Sequence, residues 1–249
     1  MTDLSYQLYS SRNFPPLGDT LAMLAELGYA QVEGYGGLFE DDIEGLAAGL
    51  KANGLTMRSS HFGLDMLEQE PARVLEIARA VGMTSVYCPH IGPELRPSDA
   101  AGWQAFGAKL QQTGAPYREA GLKFGWHNHD FEFVAQADGS VPMEEILKGG
   151  PELSWEADIA WIVRGGGDPF DWIKRHGARI DAVHVKDIAE EGHCVDEDGW
   201  EDVGHGTMDW KGLLTALQDT PCDLFVMEHD NPNDHQRFAR RSIAAVRAL

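Results

Sequence analysis

Trp126-His127-Asn128-His129-Asp130-Phe131-Glu132-Phe133 is the stretch whose reading decides the fold. Just before it, Gly121-Leu122-Lys123-Phe124-Gly125 reads as a helix stop followed by a short strand. His127 and His129 are spaced i, i+2, so on a strand both side chains leave the same face. Three later segments end in the same way: Ser154-Trp155-Glu156-Ala157-Asp158, Ala182-Val183-His184-Val185-Lys186 and Phe225-Val226-Met227-Glu228. Strand ends carrying His127, Asp158, His184 and Glu228 read as one metal site assembled from distant segments.

Working outward, the spacing predicts strands over residues 4–9, 29–33, 55–60, 84–88, 123–127, 153–158, 180–186 and 223–228. Helices are expected between them: 20–27 stopped by Gly28, 41–52, 71–80 with Pro71 in its first turn, and a long one capped by Ser98. Trp103, Phe106 and Leu110 give that long helix its core stripe, and it breaks near Gly114-Ala115-Pro116. Further helices are expected at 141–147, from Asp168-Pro169 to His176-Gly177, at 209–218, and from Asn231-Pro232 to Leu249. Eight strands alternating with eight helices over 249 residues, without a linker, imply one α/β domain over residues 1–249, a (β/α)8 TIM barrel. An open doubly wound sheet is the competitor, but no Gly-x-Gly-x-x-Gly follows a strand.

In such a barrel, functional groups gather at the C-terminal strand ends. Ser154, Glu156 and Asp158 share a face opposite Leu153, Trp155 and Ala157. Ala182, His184 and Lys186 oppose Val183 and Val185, and Gly125, His127 and His129 oppose Phe124 and Trp126. The bulky apolar faces belong against the helices, so the polar faces point inward and Glu156, Asp158 and Glu228 become neighbours. The direction of His61 stays open. Inward carboxylates raise one another's pKa unless a cation neutralises them. A divalent metal does so and uses the same groups as ligands; the mixed N/O set fits Mn²⁺, Co²⁺, Mg²⁺ or Zn²⁺. The fourth group is His127 or Glu156. His90 and His205 lie in glycine-adjacent loops at the expected mouth, with His61 as a further binding candidate. Trp161, Trp200 and Trp210 can line a sugar face, whereas His176, His193 and His235 read as solvated. The acidic, glycine-containing stretch 190–206 is too long for an ordinary βα connection and is expected to fold over the mouth.

Forty acidic residues against 20 basic give a net charge of −20, which disfavours nucleic acid and anionic membrane as partners. No cluster of Arg and Lys marks a phosphate pocket, and no apolar run reaches the ~18 residues of a membrane span. Three widely spaced cysteines, Cys88, Cys194 and Cys222, suit reduced thiols. Met1-Thr2-Asp3-Leu4 has no basic and apolar leader pattern, so a cytoplasmic location is expected. A homo-oligomer is compatible with the sequence.

The chain resembles the xylose isomerase-like barrel superfamily, in its sugar phosphate isomerase/epimerase branch. The likeness is carried by Ala120–Phe133, by Asp158-Ile159-Ala160-Trp161 with Gly166-Gly167-Asp168-Pro169, by His184-Val185-Lys186-Asp187 and by Val203-Gly204-His205-Gly206-Thr207-Met208-Asp209-Trp210, in family order. The resemblance implies a metal-dependent barrel acting on small-molecule carbohydrates: sugars, keto-sugars or cyclitols. It implies metal ligands at Asp158, His184 and Glu228, with His127 where many members carry Glu before Asn-His. Glu156, one inward step below Asp158, can restore that carboxylate. His129 is expected to orient a hydroxyl or act as base, and Lys186 to act as general acid or stabilise an enediolate. Isomerisation or epimerisation through an enediolate is the first expectation. β-Elimination by a dehydratase or lyase is the second, and a non-catalytic sugar-binding barrel is a reading of another class. Glu156 is expected to matter more than His129.

Overall fold

The computed structural model describes residues 3–40 and 42–249. Its strands are β1 (Leu4–Gln7), β2 (Gln31–Tyr35), β3 (Thr56–His61), β4 (Ser85–Cys88), β5 (Lys123–His127), β6 (Ser154–Asp158), β7 (Ile180–Val185), β8 (Asp187–Ile188), β9 (Trp200–Glu201) and β10 (Leu224–Met227). Its helices are α1 (Leu17–Leu27), α2 (Ile43–Ala52), α3 (Leu64–Gln69), α4 (Pro71–Val81), α5 (Ala100–Thr113), α6 (Ala115–Glu119), α7 (Pro142–Gly149), α8 (Ile159–Arg164), α9 (Pro169–His176), α10 (Trp210–Leu217) and α11 (His235–Ala248). Parallel pairing in the order β1-β10-β7-β6-β5-β4-β3-β2 closes a barrel, and Leu4 opposite Phe225 joins its first and last strands. This is the expected (β/α)8 TIM barrel.

Local chemistry sets the ends of the helices. Gly28 ends α1 at φ 89°, a left-handed conformation that glycine adopts without a Cβ clash. The expected cap Ser98 is one residue early: Asp99 caps α5, accepting the Gly102 amide at 2.8 Å. Asp41, expected to open the second helix, lies outside the described residues, as do Met1 and Thr2; α2 begins after Asp42, whose side chain accepts the Gly45 amide.

Period-2 alternation sorts the strands as expected. Trp126 meets Phe106 of α5 edge-on, Phe124 stacks on Tyr117 of α6, and Trp155 meets Trp172 of α9. The register shifts at Trp155/Glu156, with Asp181 the extra residue on β7, and Glu156 and Asp158 stay inward. At the N-terminal end of the barrel, Tyr87 donates to the buried Asp181 at 2.9 Å.

The 190–206 stretch is mostly loop, interrupted by β9. Asp187–Ile188 pairs antiparallel with Trp200–Glu201, forming a two-stranded ribbon above β7. Asp202 at its base is buried and faces Arg237 at 3.1 Å and Arg241 at 2.7 Å, both on α11. Among the described residues, no helix is long and apolar enough to cross a membrane.

α5 and α7 approach closely through Gly107 and Gly149. A Cβ on Gly107 would press into the Ile146 carbonyl, and one on Gly149 into that of Gln104. Gly107→Ala gains ~1 kcal/mol of helix propensity but overpacks a backbone contact, which costs ~1–3 kcal/mol. Net destabilisation is expected in urea unfolding, and a stabilised variant would show that the two helices are free to separate.

Candidate functional site

The decisive stretch is built around Glu132. Its buried carboxyl accepts the Trp126 indole N–H and the His129 amide, each at 2.9 Å. The chain therefore turns sharply after β5 and keeps His129 above His127. Asn128 points sideways to β6: its Oδ1 accepts the Trp155 indole at 2.8 Å and the Asp158 amide at 3.1 Å, while its Nδ2 donates to the Asp158 carbonyl at 3.0 Å. Asn128 thus fixes the backbone of Asp158. Asp158 in turn caps α8 through Oδ1, which accepts the Trp161 amide at 2.9 Å, leaving Oδ2 for the barrel interior.

Two groups of donor atoms meet there, sharing His184. One is Asp158, His184 and Glu228; the other is His61, His127, Glu156 and His184; within each, the atoms on offer lie within 4.8 Å of one another. His127 therefore joins the second group rather than the Asp158–Glu228 group. Glu156 likewise sits apart from Asp158 and Glu228: its Oε2 lies 2.5 Å from His61 Nε2 and 3.2 Å from His127 Nδ1. His61, whose direction the sequence left open, points inward.

Glu33, absent from the expected set, controls His184. Its Oε1 lies 2.7 Å from His184 Nε2 and also accepts from Gln7 Nε2 at 2.8 Å; Ser59 donates to Oε2. A carboxylate behind an imidazole holds the proton on the facing nitrogen and leaves the other as a lone pair. That other nitrogen, Nδ1, faces Asp158 Oδ2 at 3.8 Å. His184 Nδ1, Asp158 Oδ2 and Glu228 Oε2 are all buried without a hydrogen-bond partner. Three converging atoms without a hydrogen bond, one of them 2.7 Å from the Lys186 ammonium, fit a divalent cation, backed by the carboxylate–histidine pair seen behind many metal ligands.

Charges follow from burial and neighbours. Burial alone would raise the Glu33 pKa, but His61 and His184 outweigh it and hold it down to about 2. Burial and the adjacent Glu33 push Glu156 well up. Burial raises Asp158, and burial with Asp230 pushes Glu228 up to about 7 against the pull of Lys186. Burial lowers His61 to about 4 and His129 to about 3, so these rings are neutral near pH 7.

Above this floor lies a cavity of about 340 Å³, within the ~300–1,000 Å³ of small-ligand pockets. His61, His90, His127, His129, Trp161, His184, Lys186 and Glu228 all line it, together with Tyr9 and Tyr35, whereas Glu156 does not. His205 is a correction. The Asp187 carboxylate gathers the amides of Gly204 at 2.8 Å and Met208 at 3.0 Å, and this tight turn leaves His205 exposed and away from the cavity. Trp210 is buried with its indole on the Lys186 carbonyl at 3.2 Å, and it lines nothing. Trp200 of the ribbon lies over Lys186, with Nζ 4.0 Å from its ring, and packs on Trp161 at 4.7 Å between centroids. His235, expected to be solvated, is buried against Phe14 and bonded to Ser11. Asp230 also lines the cavity and went unnoticed in the sequence.

The family described as "xylose isomerase-like TIM barrel" matches residues 21–249. The chain belongs to that family. An inosose dehydratase of Geobacillus kaustophilus is 27% identical over 208 residues, covering 72% of this chain and 66% of that protein, just under two thirds of its length. A sugar phosphate isomerase/epimerase structure from Parabacteroides distasonis superposes with TM-score 0.82 at 20% identity, covering 100% of this chain and 94% of that one. The IOLI protein, solved with a zinc atom, superposes with TM-score 0.75 at 15% identity over 98% of this chain and 96% of that one. At such identities the two structural likenesses speak for the barrel alone.

Glu132 yields a pH-dependent prediction. Burial raises its pKa to about 8, above the ordinary carboxyl value of 4.5. The stability tied to its proton is fully present below that ordinary value and is lost as pH rises through about 8. Glu132→Gln carries no such dependence. The stability advantage of the natural chain over this variant should shrink between about pH 5 and about pH 8, by at most ~1.4 kcal/mol per unit. Urea unfolding at both ends of that range measures it, and an advantage that grows with pH would contradict the assignment.

Proposed function

We propose that this chain is a divalent-metal-dependent dehydratase acting on a keto-sugar or keto-cyclitol. The observation that carries the reading is the chemistry of the cavity wall. An unpartnered imidazole, His129, faces the cavity, while Glu156 is held below it by His61 and His127. With His127 at the strand-five position, a shuttle between two glutamates at the wall has lost one member. The inosose dehydratase relatives, at 25–27% identity, support the same choice.

Asp158, His184 and Glu228 would hold the metal. When bound, it supplies Lewis acidity to adjacent oxygens of the substrate, acidifying the C–H beside the carbonyl. His129, neutral near pH 7, accepts that proton. Negative charge developing on the substrate favours the imidazolium, so the ring gains basicity as the proton moves. Lys186 keeps its ammonium charge, because Asp230 and Glu228 outweigh burial, and it stabilises the developing oxyanion. The imidazolium then returns its proton to a hydroxyl on the neighbouring carbon; the C–O bond breaks, and water leaves with a C=C bond formed. C–H and C–O on one face of the substrate suit a single acid–base group. Epimerisation needs a second proton donor on the opposite face. Trp161, Tyr9 and Tyr35 offer flat surfaces to the carbon ring.

The test is ¹H NMR in D₂O of the protein with Mn²⁺, Co²⁺ or Zn²⁺ and a panel of keto-sugars and inososes, metal removed by chelation before recording. Loss of a hydroxyl with appearance of an enone or its diketone tautomer is expected. His129→Gln should lower the rate by ~10²–10⁴ with metal content unchanged, and Glu156→Gln should lower it far less, the reverse of the sequence expectation. Deuterium entering recovered substrate or an isomer, with no substituent lost, would assign the isomerase or epimerase chemistry instead.

A further inference from the structure

We propose that Asp230 is a positioning residue for Lys186, giving its ammonium a carboxylate outside the cation-binding set so that lysine and metal are bound together. The inference rests on the metal reading above and deepens it. Lys186 is 1% exposed, and Nζ has three carboxylates within reach. It donates to Asp230 Oδ2. It lies 2.7 Å from Glu228 Oε2, without hydrogen-bond alignment, and 3.8 Å from Asp158 Oδ2. Those last two oxygens are the ones that converge with His184 Nδ1. Ammonium and metal therefore draw on the same lone pairs.

Asp158, Glu228 and Asp230 are the three carboxylates within 4 Å of Lys186 Nζ, and the first two are also the ones offered to a cation. Without the Asp230 charge, the ammonium and a divalent cation draw on two carboxylates instead of three. The ammonium then has only Glu228 and Asp158 to turn to. Its other side is closed by aromatic faces, with the Trp200 ring at 4.0 Å and the Trp161 ring at 4.9 Å. Asp230 is itself anchored: Arg12 Nη1 donates to its carbonyl at 2.5 Å. It stands two residues beyond Glu228, past the end of β10, so its carboxylate approaches from the rim while Glu228 approaches from the strand.

Calorimetric titration of chelator-stripped protein with Mn²⁺ tests this in the natural chain, Asp230→Asn, Lys186→Met and the double variant, with thermal melts to confirm folding. Lys186→Gln replaces Lys186→Met if the methionine variant does not fold. Asp230→Asn should weaken Mn²⁺ binding by about 10- to 100-fold, the usual span for an outer group around a metal. Neutralising Lys186 in the same chain should recover most of that loss. A folded Asp230→Asn with natural affinity overturns the proposal. So does a loss that persists in the double variant, because Asp230 would then act on the metal or the fold without the lysine. A natural chain that takes up no Mn²⁺ overturns the metal reading, and this inference with it; only that outcome touches both.

Discussion

The imidazole of His184 is the point on which the inner structure depends. Four inward carboxylates, Glu33, Glu156, Asp158 and Glu228, are buried in one small volume. Uncompensated, such charges are strongly destabilising. His184 stands between them, with Nε2 on Glu33 and Nδ1 toward Asp158. Glu33 settles which nitrogen keeps the proton, and the opposite edge of the ring faces Asp158. His61 and His127 face Glu156 on the far side. The barrel floor is thus a chain of alternating acids and imidazoles, with a cavity above.

The outer layer keeps that chain in register. Asn128 clamps Asp158, Glu132 fixes the turn that carries His129, and Asp187 gathers the amides of the 204–208 turn. None of these three needs to touch a substrate. The ribbon lies behind Lys186: Asp202 and Glu197 tie it to Arg237 and Arg241 of α11, and Trp200 then lies over Lys186. Removing water from Lys186 strengthens every charge around it.

Much of this was legible in residue order, because a strand's period of two is a strong signal when one face is bulky. Trp126, Phe124 and Trp155 could only face the helices, and that choice sent His127, Glu156 and Asp158 inward. Glu33 escaped notice although Gln31 and Glu33 share the i, i+2 spacing; the glycines after it drew the eye to the turn. Asp230 lies beyond its strand, where alternation carries no information and only the three-dimensional path of the chain places the side chain. His205 shows the opposite error. Flanking glycines read as a flexible mouth loop, but here they supply the amides and sharp bends by which Asp187 closes a turn, and the ring is left outside. The ribbon of β8 and β9 was not legible because its strands are only two residues each and the groups that hold it, Arg237 and Arg241, are distant in the chain. Glu156 and Asp158 could not be told apart in depth from the sequence. The step between them along the strand divides a group facing His61 and His127 from one facing His184 and Lys186.

The central claim is that Glu33 commits one edge of His184 and leaves the other for a cation. Long-range ¹H–¹⁵N NMR of the histidine rings, with Zn²⁺ titrated into chelator-stripped protein, tests it most directly. The expected spectrum has His184 Nε2 protonated throughout, while Nδ1 moves to the shift of a metal-bound nitrogen at one equivalent. A His184 ring that binds zinc through Nε2, or that keeps both nitrogens unchanged as zinc is added, would contradict the account.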